Sequence, residues 1–180
     1  MQTQSAYRNF RSINPVTNEL VAEFPFLTNE EVTKKINLSW ESFKTHSEAG
    51  LESRCQKMLK FASIIEENKD KYVQIISEEM GKPVKSATIE VMFSAKQARY
   101  YAEKAQQFLK THEFPTEGKK SFVEYHPIGP IFYIVPFNFP FLLSLVGTIP
   151  SLLIGNTVLY RPADSCPRVG KAIEEAMIEA

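Results

Sequence analysis

The sequence predicts an α/β protein, and three observations predict it. Apolar residues recur at helical spacing through roughly the first 110 positions. After Thr111 the pattern becomes turn-like and then alternates as a strand does. Beyond it, two short apolar runs, Ile131–Val135 and Thr157–Tyr160, bracket an apolar segment of helix length. Strand, turn, helix, strand, turn, in that order, is how a nucleotide-binding α/β half-domain is written.

The chain has 180 residues, enough for one domain with an appendage, and its 21 basic and 21 acidic residues cancel. Neither sign forms a long block, so nothing in the charge pattern forecasts nucleic acid or an anionic membrane as partner. The longest apolar run, Phe139–Ile154, is interrupted by Gly147 and Pro150 and is too short for a spanning helix. It reads as a buried element. Cys55 and Cys166 have no metal spacing, and His46, His112 and His126 are scattered, so no metal site is expected. Residues 1–18 carry Arg8 and Arg11 without an acid, a faint presequence-like feature.

The N-terminal third reads as helices. Thr28-x-x-Glu31 is a capping-box pattern, followed by Val32, Ile36, Trp40 and Phe43, with Trp40 taken as core. A second helix carries Leu51, Cys55, Met58, Leu59, Ala62 and Ile65 on one side, which makes Cys55 a small core residue. A third runs through Tyr72, Val73, Ile76 and Met80 and stops at Gly81. Lys82-Pro83 opens a long helix with the inner stripe Ala87, Val91, Ala95, Ala98, Ala102, Ala105 and Leu109, whose small residues predict close packing. Ser121–His126 is a strand after the turn-like Thr116–Lys120, in a β extension whose edges want a partner. Ile131–Val135 suits a parallel strand covered on both faces, ended by Pro136. Phe139–Ile154 is a helix with Pro140 in its first turn, a kink at Pro150 and Gly155 as its stop. After the strand Thr157–Tyr160, Ser165 or Cys166 caps a last helix with Pro167 in its first turn.

Two constellations carry chemistry. In Pro136-Phe137-Asn138-Phe139-Pro140 the prolines stiffen a turn just beyond a strand's C-terminal end, where α/β sheets bind ligands. An amide held there can donate to a developing oxyanion. The residues alone favour the other reading, in which Asn138 caps the following helix. In Arg161-Pro162-Ala163-Asp164 an acid at the end of the second strand is placed to accept from an adenosine ribose. Cys166, at a helix start that favours a thiolate, is the one candidate reactive thiol.

These segments closely resemble the cofactor-binding part of the aldehyde dehydrogenase superfamily, which carries Pro-Trp-Asn-Phe-Pro or Pro-Phe-Asn-Phe-Pro followed by Lys-Pro-Ser-Glu. Ile13-Asn14-Pro15-Val16-Thr17-Asn18, and Glu79-Met80-Gly81-Lys82-Pro83 with Glu90 beyond, extend the resemblance over most of residues 12–180. Tyr101-Ala102-Glu103 and Val123–Gly129 look most like the succinate-semialdehyde branch. The resemblance implies that Asn138 is the oxyanion donor, that Pro136 and Phe137 with Asn138 wall the cofactor, and that Arg161, Pro162, Ala163 and Asp164 meet the ribose. The second motif departs three times, Lys to Arg, Ser to Ala and Glu to Asp, and arginine and lysine are not interchangeable in reach or geometry. Cys166 matches a variable position. The family's nucleophilic cysteine and water-activating glutamate lie downstream of the matched segment.

The resulting expectation is a truncated aldehyde dehydrogenase fold. Residues 1–110 form the helical part of the cofactor-binding domain, 111–130 a β hairpin of the oligomerisation type, and 131–180 the first two strand–helix units of a Rossmann-like sheet. The activity the resemblance implies, when the chain is complete with the downstream cysteine and glutamate, is NAD(P)-dependent oxidation of an aldehyde resembling succinate semialdehyde to its carboxylic acid. NAD is preferred over NADP because Asp164 would repel a 2′-phosphate. A homo-oligomer is expected of the complete chain, and a cytoplasmic location, a mitochondrial one being the other option. The competing reading is a catalytically inactive truncated paralogue acting as an interaction protein.

Overall fold

The computed structural model describes residues 9–180. In chain order the elements are β1 (Asn9–Ile13), β2 (Leu20–Pro25), α1 (Asn29–Glu48), α2 (Leu51–Glu67), α3 (Lys69–Met80), α4 (Val84–Phe108), β3 (His112–Phe114), β4 (Ser121–Val123), β5 (Pro130–Ile134), α5 (Pro140–Ile154), β6 (Thr157–Arg161) and α6 (Pro167–Glu179). The presequence-like feature lies partly in residues 1–8, outside those described.

The core is built on α4. Its stripe Ala87, Val91, Ala95, Ala98, Ala102 and Ala105 is buried against α2, α3 and α5, and the small side chains let the helices approach closely. Leu109 falls outside the stripe, at the helix's half-buried C-cap. Phe61, Ile65, Ile76, Phe141, Leu145 and Ile149 fill the space between helices, all fully buried. Burying each such side chain contributes about 1.5–3 kcal/mol. Cys55 is buried on the inner face of α2. Burial pushes its thiol above the ordinary range.

The helix boundaries follow local chemistry. At α1 the Thr28 hydroxyl accepts from the Glu31 N–H at 3.2 Å, and the Glu31 carboxylate accepts from the Thr28 N–H at 2.8 Å. This is the reciprocal box read from the sequence. α5 continues through Pro150 to Ile154 and ends at Gly155, whose φ of 111° suits a residue without a Cβ. Two side chains from α1 and α2 serve that C-terminus. His46 Nε2 donates to the Leu152 carbonyl and Arg54 Nε to the Leu153 carbonyl, each at 2.9 Å. Donors are favoured at this end of a helix dipole.

β5 and β6 pair in parallel, and α5 covers one face of them. The Tyr133 ring lies directly on Gly147, where an added Cβ would come within 2.7 Å of it. The rest of the sheet is covered only in part, not fully as expected: α1 packs along β6 and β5, yet Phe132 and Ile134 are 63% and 58% exposed. Side chains alternate along a strand, so those packed on α5 leave their neighbours pointing away from it.

Three further features differ from the sequence reading. Residues 9–25 form an antiparallel hairpin, β1 with β2, where only helices were expected in the N-terminal third. Trp40 is 51% exposed rather than core: α1 lies along a sheet only two strands wide, and the indole covers Gly129. The strand expected over Ser121–His126 ends at Val123 and pairs with β3 in an exposed hairpin. Among the described residues no helix is long and apolar enough to cross a membrane.

Candidate active site

The parallel register sets Ile134 opposite Arg161, so the C-terminal ends of β5 and β6 and the turns that follow them lie side by side. Pro136, Phe137 and Asn138 occupy the first turn; Arg161 ends β6, and Pro162, Ala163 and Asp164 form the second. All the residues singled out from the sequence thus gather at the carboxyl edge of one sheet, the edge where such sheets take ligands.

In the first turn the Val135 N–H makes the last ladder bond, to the Arg161 carbonyl at 3.2 Å. Pro136 has no N–H and ends the pairing. Phe139 holds the N-cap position of α5 with no side-chain cap, and Pro140 is its first residue. The free N–H groups of Phe141 and Leu142 both donate to Oε1 of Glu90, at 2.8 and 3.1 Å. That carboxylate comes from α4 and is fully buried. Its Oε2 accepts from Lys82 Nζ at 2.5 Å, and Lys82 Nζ also donates to the Asn138 carbonyl at 2.9 Å. The same ammonium lies 4.0 Å from the centre of the Phe139 ring.

The cap of α5 is therefore Glu90, and the helix-cap reading of Asn138 is overturned. The Asn138 side chain is exposed, and among the described residues its amide makes no hydrogen bond. It remains a two-proton donor on a stiff turn.

The second turn is held differently. Arg161 Nη2 and Asp164 Oδ1 pair with each other at 2.6 Å, both exposed. Pro162 sits on α6 so tightly that a Cβ on Gly170 would lie 2.6 Å from its ring; only glycine allows this approach. Cys166 is the N-cap residue of α6 but makes no cap bond. Glu79, from the end of α3, accepts from the Arg168 and Val169 N–H groups at 2.8 and 2.9 Å and does that work. Burial holds the Glu79 carboxyl above the usual range, opposed by those N–H donors.

Cys166 is not a thiolate. Its Sγ donates to Met80 Sδ at 3.0 Å, the residue is fully buried, and burial pushes the thiol up to about 11. The desolvation outweighs the helix end that was expected to lower it. β6 is also tied to the start of α5. Tyr160, its phenol pushed up to about 12 by burial, bonds Ser144 Oγ at 2.6 Å, and Ser144 in turn donates to the Pro140 carbonyl. His126 pairs with Glu124 on the exposed surface, away from these turns. No group of three or more His, Cys, Asp or Glu side chains among the described residues is arranged to hold a metal ion.

The sequence reading missed the cap roles of Glu79 and Glu90. The available signal was positional: Glu79 follows Tyr72, Val73 and Ile76 at helical spacing, and Glu90 lies beside Ala87 and Val91 on the inner side of α4. An acid on an apolar face needs a partner.

Comparison with known proteins places the fold in a family. The probable succinate-semialdehyde dehydrogenase (NADP(+)) of Synechocystis sp. is 34% identical over 164 residues, covering 91% of this chain and 36% of that protein. The succinate-semialdehyde dehydrogenase (NADP(+)) of Deinococcus radiodurans is 30% identical over 173 residues, covering 96% of this chain and 36% of the relative. Among solved structures, succinic semialdehyde dehydrogenase from Streptococcus pyogenes in complex with NADP+ superposes with a TM-score of 0.91 at 29% identity, over 94% of this chain and 38% of that one. This chain spans about 36% of the length of the curated relatives it matches. The sequence model described as the aldehyde dehydrogenase family matches residues 1–180. This chain belongs to the aldehyde dehydrogenase family.

Proposed function

We propose that the two turns form the oxyanion side and the adenosine-ribose side of the site of an NAD(P)-dependent aldehyde dehydrogenase, which oxidises an aldehyde of the succinate-semialdehyde kind to its carboxylic acid. The observation that carries this reading is the Asn138 amide, unengaged among the described residues, on a turn whose capping work is done by Glu90. When a nucleophile adds to the aldehyde carbonyl, Asn138 donates to the oxygen as charge develops on it. Donors fixed in advance at such a position supply a large share of catalysis in acyl chemistry. NAD(P), when bound, accepts the hydride. Pro136 and Phe137 wall its nicotinamide end and exclude water, while Arg161, Pro162, Ala163 and Asp164 meet the ribose. The exposed Arg161–Asp164 pair suits hydroxyl groups, as each partner retains hydrogen-bonding capacity.

The finer preference, NAD over NADP, rests on the Asp164 carboxylate. Its pairing with Arg161 narrows that preference, since the guanidinium offsets the charge that would repel a 2′-phosphate. The same reading makes the enzyme a cytoplasmic homo-oligomer, with the exposed β3–β4 hairpin as the segment available for association.

The test is kinetic. In an enzyme made by joining residues 1–180 to the C-terminal two thirds of a succinate-semialdehyde dehydrogenase, Asn138→Ala lowers kcat by roughly 10²–10³. KM moves less, because the amide acts on charge that develops only during reaction. An unchanged kcat contradicts the assignment.

A further inference from the structure

We propose that Lys82 and Glu90 are positioning residues for Asn138: the ammonium fixes the Asn138 carbonyl, the carboxylate fixes the helix that follows, and together they aim the side-chain amide. The proposal rests on the reading of Asn138 as an oxyanion donor.

The contacts of Lys82 converge on one place. Its ammonium meets Glu90 Oε2 at 2.5 Å, the Asn138 carbonyl at 2.9 Å and the face of the Phe139 ring at 4.0 Å. Its side chain is only 13% exposed, and that of Glu90 is fully buried. A charge-assisted bond to a carbonyl fixes the peptide plane that the carbonyl belongs to. Here that plane joins Asn138 to Phe139, so it sets the direction in which the Asn138 side chain leaves the backbone. On the far side of the same peptide, Glu90 fixes the N–H groups of Phe141 and Leu142. On the near side, the Val135 ladder bond and the Pro136 ring fix the entry to the turn.

The second turn shows what the arrangement adds. Glu79 caps α6 as Glu90 caps α5, but Arg161 and Asp164 satisfy each other across that turn. A helix cap alone therefore does not call for a buried lysine. The lysine is added where a backbone carbonyl must be held and the side chain on the same residue left free. A donor displaced by about 1 Å can cost on the order of 10² in rate, so the clamp has a kinetic signature.

The joined enzyme described above provides the test, with kcat and KM measured for Lys82→Met, Asn138→Ala and the double variant. Lys82→Met keeps an apolar stem on Phe139 and removes the ammonium. The expected result is a fall in kcat of roughly 10- to 100-fold with a smaller change in KM, and no further loss when Lys82→Met is added to Asn138→Ala. Losses that multiply in the double variant show that Lys82 acts on stability or elsewhere, and overturn the proposal; so does an unchanged kcat in Lys82→Met. If Lys82→Met fails to fold, Glu90→Gln is read the same way, since its amide oxygen still accepts from α5 while the charge that holds Lys82 is gone. If Asn138→Ala itself leaves kcat unchanged, the reading of the site fails first. If Asn138→Ala collapses kcat and Lys82→Met does not, the positioning role alone fails.

Discussion

The two strand–turn–helix units of this chain are variations on one plan, and they differ at the turn to which we assign the oxyanion donor. In each, a parallel strand leads through a proline-containing turn into a helix that starts with proline: β5 to α5 at Pro140, and β6 to α6 at Pro167. Neither helix caps itself. A buried glutamate from the helical layer takes the free N–H groups, Glu90 for α5 and Glu79 for α6. The units part at the turn. The second closes on itself through the Arg161–Asp164 pair, whereas the first is clamped from outside by Lys82 and leaves the Asn138 amide unbonded among the described residues. A turn whose side chains pair with each other can still meet a ligand's hydroxyls with the donors it has left, but its guanidinium is already directed to Asp164 and is not held in advance toward a reacting atom. A turn held from behind leaves its amide free for that.

The largest expected break in this comparison comes from the cap of the first unit. Glu90→Ala strips two helix N–H groups of their acceptor and leaves Lys82, only 13% exposed, without its counter-charge. Removing one partner of a buried pair costs about 3–5 kcal/mol. Urea denaturation should register a loss of that order; a loss below about 1 kcal/mol would show that the ammonium and the helix end find water instead.

A smaller effect separates the second unit. Asp164→Ser frees the Arg161 guanidinium for a 2′-phosphate, and an exposed ion pair of this kind is worth little to stability, about 0–1 kcal/mol. The change belongs in cofactor choice. One like-charge repulsion removed at about 4 Å in a water-like setting is about 1 kcal/mol, so the NADP-to-NAD ratio of kcat/KM in the joined enzyme should rise about fivefold. A ratio that stays put or falls would mean that Asp164 does not set the preference.

Much of this arrangement was legible in the sequence because it is written locally. Pro136, Gly155, Pro167 and the capping box at Thr28 and Glu31 mark boundaries within a few residues of the bonds they make, and β5, α5 and β6 lie where they were expected, within one residue at each end. What was missed is not local. The acceptor for the α5 N–H groups lies 51 and 52 residues earlier in the chain, and that for α6 lies 89 and 90 residues earlier. A glutamate in a helix reads as surface until its neighbours in space are known. The β1–β2 hairpin escaped for a different reason. Its short strands mix exposed and half-buried residues without a clean alternation, and its turn relies on Asn18 at φ 60° instead of an Asn-Gly pair. Trp40 sits on the apolar stripe of α1, but spacing alone could not reveal that the sheet beneath is too narrow to bury it.

The central claim is that Asn138 contributes nothing to holding α5 in place and is thereby free for chemistry. Equilibrium denaturation of Asn138→Ala beside its parent tests this most directly. Glu90 keeps both N–H groups occupied in the variant, so stability should stay within about 0.5 kcal/mol, the range of surface substitutions that touch no special feature. A loss of about 1 kcal/mol or more, the usual cost of deleting a helix cap, would return Asn138 to structural duty and contradict the account.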